Sequence, residues 1–308
     1  MFIVEILAIV AGFGGMVVAS QRAVGAASDL AVGAQISPFI IGFTMLAIGT
    51  DLPEIANSIV SSVTDHGDVN VGDSVGSAAT QVTLVLGILG IGYGPLPLPN
   101  GNIARTGAFT VLSLAVLAVC ISDGRFGRVN ALFLLAIWGA GSAMIYRRST
   151  KHHQLSLPQG ALPKRPLVVK LVVAFLGLAG ASMVSLWAVV AVAERFDAPE
   201  FLVGFFLASL GTSLPELVFD ITAIRRGSVA LAIGDIIGSS FIDTTLSVSI
   251  GPLIAPTDVS SDLLLRGVLI SLVAIGFVTF VLSRVKEHDW RTGAILLFTY
   301  AAFFVTML

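Results

Sequence analysis

Twice in this 308-residue chain a Pro and a Glu stand side by side inside apolar sequence: as Gly49-Thr50-Asp51-Leu52-Pro53-Glu54 and, 162 positions later, as Gly211-Thr212-Ser213-Leu214-Pro215-Glu216. Pro53 cannot donate to the carbonyl of Gly49, nor Pro215 to that of Gly211, so each helix carrying the motif is broken and leaves main-chain oxygens beside a carboxylate. Hard cations take such oxygens, and calcium accepts about six to eight of them from carboxylates, carbonyls and hydroxyls. The neighbouring sequence offers Glu54, Glu216, Asp243, Thr50, Thr212, Ser213, Ser77 and Ser239. No Cys or His stands near these segments, which disfavours zinc, copper and iron. A carboxylate in lipid is costly, and the same cost incurred twice at matched positions points to an ion site.

The elements that must position these residues are themselves duplicated. Gly72-Asp73-Ser74-Val75-Gly76-Ser77 recurs as Gly234-Asp235-Ile236-Ile237-Gly238-Ser239, again displaced by 162, so the chain reads as an internal duplication. It is 56% hydrophobic and only 12% charged, with a mean hydropathy of +0.96, which marks an integral membrane protein. Segments long enough to cross about 30 Å of hydrocarbon fall near 2–20, 37–64, 72–92, 104–121, 129–146, 168–193, 201–224, 229–251, 264–283 and 291–308. The expected fold is all-α, with ten transmembrane helices in two five-helix repeats, 1–146 and 168–308, joined by a basic linker, 147–167. Five spans is an odd number, so the second repeat enters the membrane from the opposite side and the repeats are inverted.

The linker region from Arg147 to Lys170 carries six basic residues and no acidic one, and the positive-inside rule puts it in the cytoplasm and both termini outside. Arg22, Arg105, Arg225, Arg226, Arg284, Lys286 and Arg291 fall on the same face, so most of the 17 Lys and Arg agree with that orientation. The apolar N-terminal stretch has no basic segment before it and reads as the first span rather than a cleaved leader. The single cysteine, Cys120, supports no disulfide framework. His152 and His153 read as part of a solvated loop. Composition implies the lipid bilayer as partner and gives no indication of nucleic acid.

G-T-x-L-P-E followed about twenty residues later by G-D-x-x-G-S, present in each half, resembles the paired alpha-repeats of the cation/calcium antiporters, most closely the prokaryotic sodium/calcium exchangers. The likeness is specific over 41–87 and 203–249 and topological elsewhere. It implies Glu54 and Glu216 as central ligands shared between calcium and sodium, with the carbonyls of Ala47, Thr50, Ser209 and Thr212 completing the shells. Ser77, Ser213 and Ser239 would supply hydroxyls at sodium sites. Asp243, opposite Gln81 in the duplication, would be the asymmetric acid able to carry a proton. The chain departs from that pattern at Asp51, Ala78, Gln81, Phe219-Asp220 and Ser240. Asp51 places a further carboxylate three residues before Glu54 and brings the formal charge of the cluster to −4 with Glu54, Glu216 and Asp243. One divalent ion cannot neutralise that charge, so protons are expected on some of these acids when the site is partly filled.

The expected function is a secondary antiporter exchanging calcium for sodium by alternating access, with no cofactor, working as a monomer; the alternative is a proton-coupled calcium or other cation exchanger. Enzymatic activity is not expected. Paired membrane aspartates would suit an intramembrane protease, but the G-x-G-D motif is missing and Asp73 and Asp235 are expected near opposite faces, at helix ends. Gly72-x3-Gly76 and Gly234-x3-Gly238 read as close helix packing, and Glu5 as an acid that snorkels to the exterior end of its span.

Overall fold

A computed structural model describes residues 2–34, 36–99, 101–151, 164–194 and 209–307. In chain order the helices are α1 (Phe2–Ala34), α2 (Pro38–Thr50), α3 (Leu52–Val63), α4 (Gly67–Tyr93), α5 (Asn102–Cys120), α6 (Arg128–Lys151), α7 (Lys164–Glu194), α8 (Ser209–Thr212), α9 (Leu214–Arg225), α10 (Val229–Ile254), α11 (Ser261–Ser283) and α12 (Trp290–Met307). Four two-residue strands, β1 (Leu96–Pro97), β2 (Arg125–Phe126), β3 (Thr257–Asp258) and β4 (Glu287–His288), are the only other regular elements among the described residues. Among the described residues six helices are long and apolar enough to cross a membrane, and the α2–α3 pair, bent by 44°, makes a seventh candidate. The fold class is all-α. His152, His153 and the start of the expected 201–224 span lie outside the described residues.

The first span differs from its expected end at residue 20. Helix α1 runs on through segment 21–34, where five alanines favour the helix and no Pro interrupts it, and stops ahead of Ser37-Pro38. It packs along α7, and these two form the flank of the molecule. Glu5, expected to reach toward water, is instead only 3% exposed within the protein.

Helices α4 and α10 are the inner pair. Their apolar windows are 78% and 83% buried, against 22% for α6. Small residues explain how α10 meets the broken helix α2. A Cβ added at Gly234 would collide with the carbonyl oxygen of Phe39, and one at Gly238 would lie 2.7 Å from that of Phe43. Only glycine lets the two backbones approach so closely, and the close-packing reading holds in this half.

On each face of the bundle a short strand pair ties an early segment to a late one. β1 pairs with β4, setting Leu96 opposite His288, and β2 pairs with β3, setting Arg125 opposite Asp258. Phe126 and His288, 162 positions apart, are both 0% exposed.

Candidate cation site at the paired helix breaks

The two motifs fold alike. Asp51 sits between α2 and α3 at φ −76°, ψ 7°, and Ser213 sits between α8 and α9 at φ −79°, ψ 1°. In each case the Pro falls in the first turn of the following helix, where its missing N–H has no intrahelical partner to lose. Glu54 and Glu216 are then carried inward from the first turns of α3 and α9, both 0% exposed.

These breaks bring three acids together. One carboxylate oxygen from each of Asp51, Glu54 and Glu216 lies within 4.8 Å of the other two. None of the six oxygens receives a hydrogen bond from the described residues. Buried carboxylates this close, with no donor at full hydrogen-bond geometry among the described residues, are suited to being balanced by cations or protons.

The hydroxyl residues are arranged in matched crossings between the halves. Thr50 lies 3.3 Å from Ser239 and Ser77 lies 3.1 Å from Thr212, hydroxyl to hydroxyl, and the second pair is the first displaced by 162 in each member. Ser77 also donates to the Ser209 carbonyl at 3.4 Å. The Ser213 hydroxyl is buried, with no hydrogen-bond partner among the described residues. Ala47 is 0% exposed and its carbonyl accepts from the Asp51 N–H at 3.0 Å and from the Thr50 hydroxyl at 3.3 Å.

Asp243 and Gln81 occupy equivalent places, each opening a π-helical turn, Asp243–Ser247 in α10 and Gln81–Val85 in α4. The wide turn inserts one residue into the helical ladder, a feature that concentrates at functional sites. Both side chains are 0% exposed and lie beside one another. Asp243 does not join the group of carboxylates within 4.8 Å; Asp51 does. The third acid of the group is therefore the one by which the chain departs from the expected motif.

Two further placements correct the sequence reading. Asp73 and Asp235 are not helix-end residues; they lie inside α4 and α10 at 1% and 0% exposure. Asp73 accepts from the Asn57 amide at 2.6 Å and from the Thr212 hydroxyl at 3.2 Å. Asn57, three residues beyond Glu54, does not stand out in the sequence because an isolated amide carries no pattern; its one signal is that it follows Pro-Glu on the same helix face. The π-helical turns, including a third at Gly42–Leu46 in α2, have no readable signal in the sequence.

Residues 4–147 and 166–308 match the sodium/calcium exchanger protein family. The chain belongs to that family. Among relatives, the inner membrane protein YrbG of Escherichia coli (strain K12) is 29% identical over 292 residues, covering 91% of this chain and 90% of its own. The sodium/calcium exchanger MaX1 of Methanosarcina acetivorans is 24% identical, covering 100% and 99%. A solved structure of the sodium-calcium exchanger NCX_Mj superposes with a TM-score of 0.80 at 22% identity over 99% of each chain, which establishes a shared fold. This sodium/calcium exchanger family member is accordingly a multi-pass membrane transporter of inorganic cations, a cation/calcium exchanger, and not an enzyme.

Proposed function

We propose that the protein is a secondary antiporter of the cell membrane that exchanges calcium for sodium by alternating access. The observation that carries this reading is the group of three buried carboxylates, without a hydrogen-bond partner among the described residues, drawn from two helix breaks of the same backbone geometry. Glu54 and Glu216 act as the ligands common to both ions, and Asp51 as a third charged ligand. Thr50, Thr212, Ser77, Ser213 and Ser239 contribute oxygens around them, as do the carbonyls of Ala47 and Ser209. Gln81 and Asp243 close the site on the α4–α10 side.

The charge supplies the coupling. Three carboxylates in a low-dielectric centre repel one another, so the emptied site is the species least able to rearrange between its two open states. Passage is then tied to loading, with calcium in one direction and monovalent cations in the other. The matched crossings Thr50–Ser239 and Ser77–Thr212 and the strand clasps on both faces support two inverted five-helix repeats, 1–146 and 168–308, acting as a monomer with the site between them.

The test is calcium uptake by purified protein in proteoliposomes under an imposed sodium gradient, then a proton gradient, then neither. Uptake driven by sodium alone is the expected result; uptake with neither gradient would make the protein a passive conductor. Asp51 favours one second reading, a proton-coupled exchanger, because a third acid gives the site a further proton carrier; uptake driven by the proton gradient alone would establish it. The orientation, with both termini outside and the 147–167 linker cytoplasmic, predicts that Ser156→Cys in a Cys120→Ala background reacts with an impermeant thiol reagent only in opened cells.

A further inference from the structure

Asp73 and Asp235 are equivalent in the duplication, yet they are treated differently by the protein around them. Asp73 has the Asn57 amide and the Thr212 hydroxyl as donors. At the position equivalent to Asn57 the second half has Phe219, an apolar side chain, and the next residue, Asp220, faces Asp235 with a carboxyl group of its own. Both Asp220 and Asp235 are 0% exposed, and none of their four oxygens meets full hydrogen-bond geometry with a described residue; the donors nearest Asp235 are the Thr50 hydroxyl and, when protonated, Asp220. Thr50, from the broken helix α2, stands beside Asp235.

Two carboxylates turned toward one another have acceptors only. An amide resolves the first half without a ligand; in the second, a shared proton or a bound cation has to supply the balance. Asp220 lies one helical turn beyond Glu216 on α9, and Asp235 lies in the second turn of α10, which follows the Arg226-Gly227-Ser228 turn. The pair is thus set between the central carboxylates and the face carrying that turn.

We infer that Asp220 and Asp235, with the Thr50 hydroxyl, form a second binding site for a hard divalent cation of the calcium class, one helical turn from the central cluster and present in one half only. Two carboxylates match the charge of one such ion, and an all-oxygen set matches its ligand preference. The position makes it a relay between the central site and one face. The inference deepens the exchanger reading by adding a site on the cation path.

Equilibrium binding of radiolabelled calcium to the purified full-length chain in sodium-free buffer tests it. With the central site disabled by Glu54→Gln and Glu216→Gln together, the protein still binds calcium. Adding Asp235→Asn weakens that remaining affinity by about 100-fold or more, and adding Asp220→Ser, which installs the hydroxyl found at the equivalent Ser58, weakens it comparably. Elution as a monodisperse species certifies each variant, and the two substitutions provide independent routes if one fails to fold. The inference is overturned if the centrally disabled protein binds no calcium, or if its calcium binding survives Asp220→Ser and Asp235→Asn; in either case the pair shares a proton or holds sodium instead. Failure of sodium-driven uptake in the wild type would sink the exchanger reading while leaving this binding count unchanged, so the two fail separately.

Discussion

At the first helix break the linking residue is Asp51, a carboxylate; at the second it is Ser213, a hydroxyl, on nearly the same backbone angles. One turn beyond the breaks the imbalance reverses. Around Asp73 the first half is neutral in its partners, Asn57 and Thr212, whereas around Asp235 the second half adds the acid Asp220. Duplication preserved the geometry that brings oxygens inward and left the charge free to be redistributed along the path. Two segments that share a motif and a backbone geometry therefore differ in the charge they bring to the interior.

The largest expected effect removes what the halves share. On the proposed ligand roles, Glu54→Gln or Glu216→Gln each lowers exchange by about 100-fold or more with near-normal folding, since carboxylate charge is lost while volume is kept. Normal calcium flux through either purified variant would take that carboxylate out of the mechanism.

Asp51→Ser makes the first break chemically equal to the second. Removal of a carboxylate from a group whose members lie within 4.8 Å should change the apparent affinity for the transported cations by about tenfold. Unchanged affinities for both ions in flux titrations would place Asp51 outside the transport step.

Asn57→Ala deletes the donor that distinguishes Asp73 from Asp235. A buried acid that loses a 2.6 Å hydrogen bond costs stability of about 1–3 kcal/mol, read as a lowered thermal midpoint in detergent. An unshifted midpoint would mean that Asp73 is balanced by other means.

The smallest effect concerns the clasps. Burial pushes the imidazole of His288 below its ordinary value of 6.5, against the opposing hydrogen bond to the Leu86 carbonyl. The unfolded chain then binds the proton more readily than the folded one, so this contribution to stability is present above about pH 6.5 and lost as pH falls below it. His288→Phe copies the equivalent Phe126 and should flatten that part of the stability–pH curve, at a cost of about 1 kcal/mol at pH 8 for the hydrogen bonds to Leu86 and Thr292. A curve of the same slope in the variant would assign the pH dependence to other groups.

Much of the site is legible in the sequence because its signals are violations. A Pro-Glu pair in apolar sequence, repeated at a fixed displacement, can be read without knowing what it touches, and Glu54, Glu216, Thr50, Thr212, Ser77 and Ser239 all follow from it. Asp51 is visible as an acid out of pattern. The Asn57–Asp73 bond is not legible, since it depends on which face of α3 meets α4. The true end of α1 escapes a hydropathy reading because hydropathy marks the thickness of lipid, whereas a helix continues as long as its residues favour it.

By itself the sequence determined that the chain is a duplicated membrane protein with oxygen-bearing side chains at two Pro-Glu motifs, because composition and periodicity are properties of the chain alone. Tertiary structure decided which polar side chains meet: Asp51 with Glu54 and Glu216, Gln81 with Asp243, and Asp220 with Asp235. Those meetings depend on π-helical turns that shift the register of a helix face and on glycines that set how closely backbones approach, and both act through contacts between segments far apart in the chain.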